Sequence, residues 1–292
     1  MEWFLATLAA ALIWSATGIV AKELMDQDSS LVYSFLYSTL ALVFYTPVFL
    51  YLVSSAEISL SFFTVGAFIV SGFANIFGIT AYNYSIKLGE LSRVIPFTKL
   101  NPVFTAIIAA ALLGEKMTPT RVTGILLVTV GSYVILEEKN RNWRQPFRSF
   151  IKDRAPKVAV LSAVIFSVAA VMDRYAVQAF QPEVYTFMIY LFMTTGLSVY
   201  IFGQRPELVD QIIPDLKKHR LKYVFTGAGA ALASYLIFFA FSKAPASRVI
   251  PVLQIQVLIS VIAGVLLFEE DNLKQKLIGS AILIAGVVLV AL

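Results

Sequence analysis

The 292-residue chain has no cysteine, a single histidine and little charge, and each shortage removes a class of function. Without Cys there is no disulfide, no thiolate metal site and no thiol nucleophile. His219 stands in the run Lys217-Lys218-His219-Arg220, which reads as a solvated loop and supports neither a Ser-His dyad nor a zinc site. Asp, Glu, Lys and Arg make up 14% of the residues, against about 25% in a soluble domain. Hydrophobic types reach 59%, where about 45–50% is usual. These proportions exclude an ordinary soluble enzyme, a nucleic-acid binder and a disordered chain. No pair of aspartates lies within an apolar run, so an intramembrane protease has no catalytic groups. No enzyme activity, metal or cofactor is expected.

What is present is apolar sequence in lengths that suit a bilayer. A spanning helix takes about 20 apolar residues. Such runs lie near 3–21, 31–53, 62–86, 92–113, 119–136, 157–178, 183–202, 222–243, 247–268 and 273–291. The expected fold is an all-α polytopic protein of ten transmembrane helices, multi-pass in the inner or plasma membrane. Only Met1 and Glu2 precede the first run, which therefore lacks the basic start of a secretory signal. The linkers near 137–156 and 203–221 are the longest, and neither could hold a separate domain. Any chemistry must sit inside the helix bundle.

The chain also repeats itself. Ser92-Arg93-Val94-Ile95-Pro96 recurs as Ser247-Arg248-Val249-Ile250-Pro251. The same offset pairs Glu115 with Glu270, Gly124 with Gly279 and Gly131 with Gly286. At a slightly smaller offset Trp14-Ser15 pairs with Phe166-Ser167, Lys22 with Arg174, and Tyr33-Ser34-Phe35 with Tyr185-Thr186-Phe187. An ordered series of this kind predicts two five-helix repeats, 1–137 and 157–292, joined by a basic loop at 138–156. Five is odd, so the second repeat enters the membrane in the opposite sense. Inverted repeats are a signature of secondary transporters, whose substrate sites lie near the midplane where the repeats meet.

These residues carry a resemblance. Five plus five helices, Trp14-Ser15 with Lys22 in the first span, the Ser-Arg-Val turns before spans four and nine, and Gly114-Glu115 after span four resemble the drug/metabolite transporter superfamily. Within it, the chain is most similar to the EamA-like ten-helix metabolite exporters. The second repeat departs by carrying Phe268-Glu269-Glu270 where a Gly-Glu step is usual. The resemblance implies a central cavity lined mainly by spans 1, 3, 4, 6, 8 and 9, with spans five and ten as outer struts.

Candidate pathway residues are the polar groups inside probable lining spans. Lys99 lies well inside span four, with Gln254 at the matching position of the second repeat; Asn101 pairs likewise with Gln256. Intramembrane ionisable residues usually face a wet cavity or a partner. The alternative for Lys99 is a stem along the wall with its ammonium at the headgroups. Trp14, Tyr37, Asn75, Tyr82 and Tyr235 complete the pathway set, although amides such as Asn75 and Asn83 also serve as interhelical glue. Tyr33 and Tyr185, near span ends, suit an interfacial belt. Pro96, Pro102 and Pro251 each remove a helix hydrogen bond and are expected to kink their spans as gating elements. Lys22 beside Glu23, and Arg174 beside Asp173, read as local ion pairs at helix ends. Thr118-Pro119 reads as a helix cap and first helical position.

The expected function is a secondary active or facilitative carrier, working as a monomer in lipid and exporting small polar metabolites by alternating access through the cavity between the repeats. Amino acids or related organic anions and zwitterions are the expected cargo, because the buried positive charge is Lys99. A cationic-drug exporter of the same superfamily would place a glutamate inside span one, and this span has none between Glu2 and Glu23. No deep carboxylate stands out as a proton carrier. A channel-like or receptor-like bundle without a transport cycle is the other alternative. The basic residues collect in alternate loops, which places both termini outside by the positive-inside rule; EamA-like carriers are drawn with both inside.

Overall fold

The structure is a computed structural model that describes residues 1–27, 29–53, 61–88, 91–136, 150, 153–259 and 273–292. Residues 137–149 and 151–152 of the basic connecting segment and Glu270 lie outside the described residues, as do the side chains of Lys22, Asn83, Ser92 and Arg93; the end of that segment, expected as loop, is already helical from Arg154. Every regular element described is a helix: α1 (Glu2–Gln27), α2 (Ser30–Leu52), α3 (Phe62–Leu88), α4 (Leu91–Thr98), α5 (Asn101–Leu113), α6 (Pro119–Leu136), α7 (Arg154–Gln204), α8 (Val209–Lys218), α9 (Arg220–Lys243), α10 (Ala246–Leu253) and α11 (Leu273–Ala291). Seven helical stretches among the described residues are long and apolar enough to cross a bilayer. One of these is α7, whose 51 residues bend at Gln181 (φ 61, ψ 150) just before Pro182. A positive φ is costly for any residue but glycine, and the following proline forces an extended ψ; together they turn the chain with no separate loop.

The helix contacts form two compact units. The first holds Met1–Gly72 and Asp173–Lys243, the second Phe73–Met172 and Ala244–Leu292. In the first unit α9 packs between α1 and α2. Its glycines set the approach: a Cβ on Gly227 would collide with Leu40 of α2, and one on Gly229 with Thr17 of α1. Below them Leu24, Val32, Leu36, Ile201, Ile212 and Tyr223 form a closed apolar cluster. Ile212 comes from α8, so the stretch expected as a plain linker carries a short amphipathic helix preceded by a 3-10 turn, Pro206–Leu208.

In the second unit α6 and α11 lie in direct backbone contact. A Cβ on Gly124 would sit 2.8 Å from the Gly286 carbonyl oxygen, and one on Gly131 2.8 Å from that of Gly279. Ascending numbers on α6 meet descending numbers on α11, so the two helices are antiparallel. Small residues permit this approach, and dispersion across it replaces the hydrophobic drive that lipid does not supply. The start of α6 is as expected, with Thr118 Oγ1 accepting the Arg121 N–H at 3.2 Å and Pro119 opening the helix.

Candidate functional site

In the second unit both proline-bearing helices are broken, and the breaks fall at matching positions. Helix α4 ends at Thr98; the Lys99 N–H turns back to the Pro96 carbonyl at 3.3 Å, and a new helix begins at Asn101. Helix α10 ends at Leu253; the Gln254 N–H turns back to the Pro251 carbonyl at 3.1 Å, and helix resumes over 255–259. These are i to i+3 bonds, tighter than the α-helical kind. Each proline is thus followed, three residues on, by a backbone break at the polar residue of the Lys99/Gln254 pair. Pro102 behaves differently from the kink expected of it. It stands in the first turn of α5, where a missing N–H costs no bond.

The side chains at the breaks are unequally held. Gln254 is buried, and its Oε1 has no donor among the described residues. A buried acceptor left unpaired costs about 1–3 kcal/mol. Lys99 is half-buried and forms no ion pair with a described residue. Asn101 is committed to neighbouring backbone: its Nδ2 donates to Ser167 Oγ at 2.9 Å and to the Ala163 carbonyl at 3.2 Å. Ser167 in turn lies 3.1 Å from the Asn101 carbonyl and 2.7 Å from that of Ala163. Asn101 therefore joins α5 to α7. Gln256, Asn75 and Tyr82 are half-buried.

A glutamate fixes the start of α10. Gly114 ends α5 with φ 65, and Glu115 follows. The Glu115 carboxylate accepts the Ala246 N–H at 2.9 Å, the Ser247 N–H at 3.2 Å and the Ser247 hydroxyl. These N–H groups belong to a helix N-terminus, where a negative charge is favoured. With α5 packed on α10, the two broken helices and their cap make one assembly.

The first unit holds Trp14, Tyr37 and Tyr235, each half-buried. Tyr37 stacks on Tyr33, ring centres 5.7 Å apart, and meets Tyr190 edge-on at 6.4 Å. The Tyr190 hydroxyl lies 2.7 Å from Ser234 Oγ and donates to the Ala230 carbonyl at 3.1 Å. Tyr235 donates to Glu183 at 3.2 Å and lies beside Tyr45. Tyr33 is buried within this array.

Two expectations need correction. Tyr185 is wholly buried and donates to Asp173 Oδ1 at 2.6 Å, so it is no belt residue. Asp173 is itself buried and bonded to hydroxyls rather than held in a local ion pair. Adjacent residues on a helix point in different directions, which is why Asp173 is bonded to Ser71 and Tyr185 and not to its neighbour Arg174. Glu23 pairs with Lys222 of α9, 199 residues away, while the side chain of its neighbour Lys22 lies outside the described residues.

Helices of this length and composition define a multi-pass membrane protein. The chain belongs to the EamA-like transporter family, whose profile matches residues 1–137 and 155–292. It is 25% identical over 223 residues to an uncharacterized transporter of Archaeoglobus fulgidus, covering 74% of each chain. It is 22% identical over 216 residues to a Rickettsia bellii protein named an S-adenosylmethionine uptake transporter, covering 74% of this chain and 69% of that one. A crystal structure at 18% identity superposes with a TM-score of 0.78 over 98% of this chain and 95% of the other, which shows a shared fold.

Proposed function

We propose that this transporter exports small polar metabolites, amino acids or related organic anions and zwitterions, by alternating access between two inverted five-helix repeats that together make ten spans. The observation that carries the reading is the matched pair of helix breaks at Lys99 and Gln254. Discontinuous helices expose backbone groups and a polar side chain to cargo at membrane depth, where an unbroken helix would offer neither. The α6–α11 contact supports the repeat. Exchanging each glycine for its partner 155 residues away turns the Gly124–Gly286 contact into Gly279–Gly131, which is the other contact observed. A two-fold axis lying in the membrane plane produces such an antiparallel pair.

Lys99 and the unpaired Gln254 oxygen favour a cargo with both an anionic group and a donor, which an amino acid has. The assay is counterflow in proteoliposomes loaded with a mixture of unlabelled amino acids and small carboxylic acids. Saturable accumulation of a labelled member is expected, and a flux that neither saturates nor responds to internal cargo would point to a channel. A second reading is uptake of S-adenosylmethionine, by similarity to the Rickettsia bellii protein. The tyrosine array of the first unit favours it, since Tyr33, Tyr37 and Tyr190 could stack on an adenine and face a sulfonium. Labelled S-adenosylmethionine in the same assay separates the two.

A further inference from the structure

We propose that Asp173, held by Ser71 and Tyr185, is a proton-binding site through which this transporter couples its cycle to a proton gradient. The coupling rests on the transport reading above; the proton site itself does not.

The helix that carries Asp173 is apolar from Val158 to Met172 except for Ser162 and Ser167. Asp173 is 7% exposed. Two hydroxyls converge on one oxygen: Ser71 Oγ from α3 and Tyr185 Oη from beyond the Gln181 bend both donate to Oδ1. Oδ2 makes no bond with a described residue. The surroundings are aromatic. Tyr185 meets Phe238 of α9 edge-on at 4.8 Å, with Phe68 and Phe180 6.1 and 6.2 Å away.

No cation neutralises the group among the described residues. The charged residues on the elements around it are Arg154 and Lys157 at the start of its own helix, Arg174 and Glu183 further along it, Arg220, Lys222 and Lys243 on α9, and Lys87 far along α3. Lys222 is paired with Glu23, Lys243 lies over the Phe239 ring, and Glu183 accepts from Tyr235. Tyr185 is the titratable side chain in direct contact. Gain or loss of a proton at Asp173 therefore changes the local charge by a full unit.

The geometry accommodates that change without rearranging the donors. A proton enters from water onto Oδ2 while Ser71 and Tyr185 stay on Oδ1. Bonds to an ionised acceptor are roughly twice as strong as bonds to a neutral one. The charged carboxylate thus clamps α3 and both arms of α7 together, and the protonated one loosens them. Returning the proton to the opposite side restores the clamp. Ionisable groups placed in this way inside membrane proteins mark proton relays.

The test uses the purified full-length chain in two arms. In the first, the proton is the probe, followed by infrared difference spectra between acidic and alkaline buffer. A protonated-carboxyl band is expected in the wild type, displaced in Tyr185→Phe and absent in Asp173→Asn. In the second, proteoliposomes are given a labelled amino-acid mixture under two regimes, counterflow and an imposed pH gradient. Asp173→Asn is expected to keep counterflow within about twofold while gradient-driven accumulation falls to the level of empty liposomes. A wild-type spectrum without a band that responds to Tyr185→Phe overturns the proposal, and this holds even if Asp173→Asn does not fold. Gradient-driven accumulation that survives in Asp173→Asn, or that follows a sodium gradient instead, overturns it as well. A wild type that shows no flux under either regime, with the band present, overturns the transport reading alone.

Discussion

The carboxylate of Glu115 holds the first turn of α10 through Ser247, accepting both its backbone N–H at 3.2 Å and its hydroxyl. The contact spans 132 residues of sequence and ties the turn after one broken helix to the start of the other. Glu115→Ala strips the acceptor from two backbone N–H groups, and loss of such a cap costs about 0.5–2 kcal/mol. A lower thermal midpoint in detergent is expected. Glu115→Gln keeps one oxygen and should fall between the two. An Ala variant as stable as the wild type would show that water replaces the carboxylate at no cost.

The antiparallel α6–α11 contact predicts a sharp contrast among glycines. Gly131→Ala would force a Cβ within 2.5 Å of the Leu283 backbone nitrogen, so the helices must part. Overpacking of this kind costs about 1–3 kcal/mol. Gly66→Ala, with nothing within 4 Å of its Cβ, should leave the thermal midpoint unchanged or slightly raised. Equal behaviour of the two variants in the same melting assay would contradict the close contact.

Much of this fold is legible in the sequence, because a bilayer demands apolar runs of fixed length and the helix ends fall where those runs stop. The glycine contacts are legible too, since Gly124 and Gly131, like Gly279 and Gly286, stand seven residues apart and so share one helix face. What adjacency suggested was misleading. Asp173 next to Arg174 invites a local pair, yet neighbours on a helix diverge, and the true partners Ser71 and Tyr185 lie 102 and 12 residues away. The bend at Gln181 has no glycine to announce it; only Pro182 marks the place. The helix α8 did leave a signal, since Leu208, Ile212 and Leu216 are spaced by four, but its charges made it read as a loop. Asn101 is polar at a depth where both cargo and a neighbouring helix need polar groups, and sequence alone does not separate those uses.

Bending at the two breaks is expected to be needed for turnover. Pro96→Ala with Pro251→Ala restores two backbone donors, so each helix could close through the break and the protein should remain folded. Exchange in proteoliposomes should fall by about tenfold or more, equivalent to about 1.4 kcal/mol on the rate-limiting step. Cargo binding, read as a thermal shift, should change far less. Exchange at the wild-type rate would make the breaks packing features only.

Orientation can be read from α8, where Lys217 and Lys218 are exposed. The positive-inside rule places this basic segment in the cytoplasm. The chain has no cysteine of its own, so Lys218→Cys gives a single label site. In intact cells it should resist an impermeant maleimide and react once the membrane is opened. Ready labelling of intact cells would reverse the assignment and put both termini inside.

Lys99 is the remaining decision. Its partner position in the other half is Gln254, so the fold already accepts an amide at a break of this geometry, and Lys99→Gln removes one charge with little change of shape. If the ammonium meets an anionic group of the cargo, losing that charge-assisted bond costs about 1.5–3 kcal/mol, or about ten- to a hundredfold in affinity. Anionic and zwitterionic cargo should weaken by that factor, and a neutral one hardly at all. Should the side chain instead reach along the wall to the headgroups, stability alone would change. The measurement is counterflow of one anionic and one neutral cargo by both proteins across a range of concentrations. Identical half-saturation values for every cargo would remove Lys99 from the pathway, and the preference for anions would go with it.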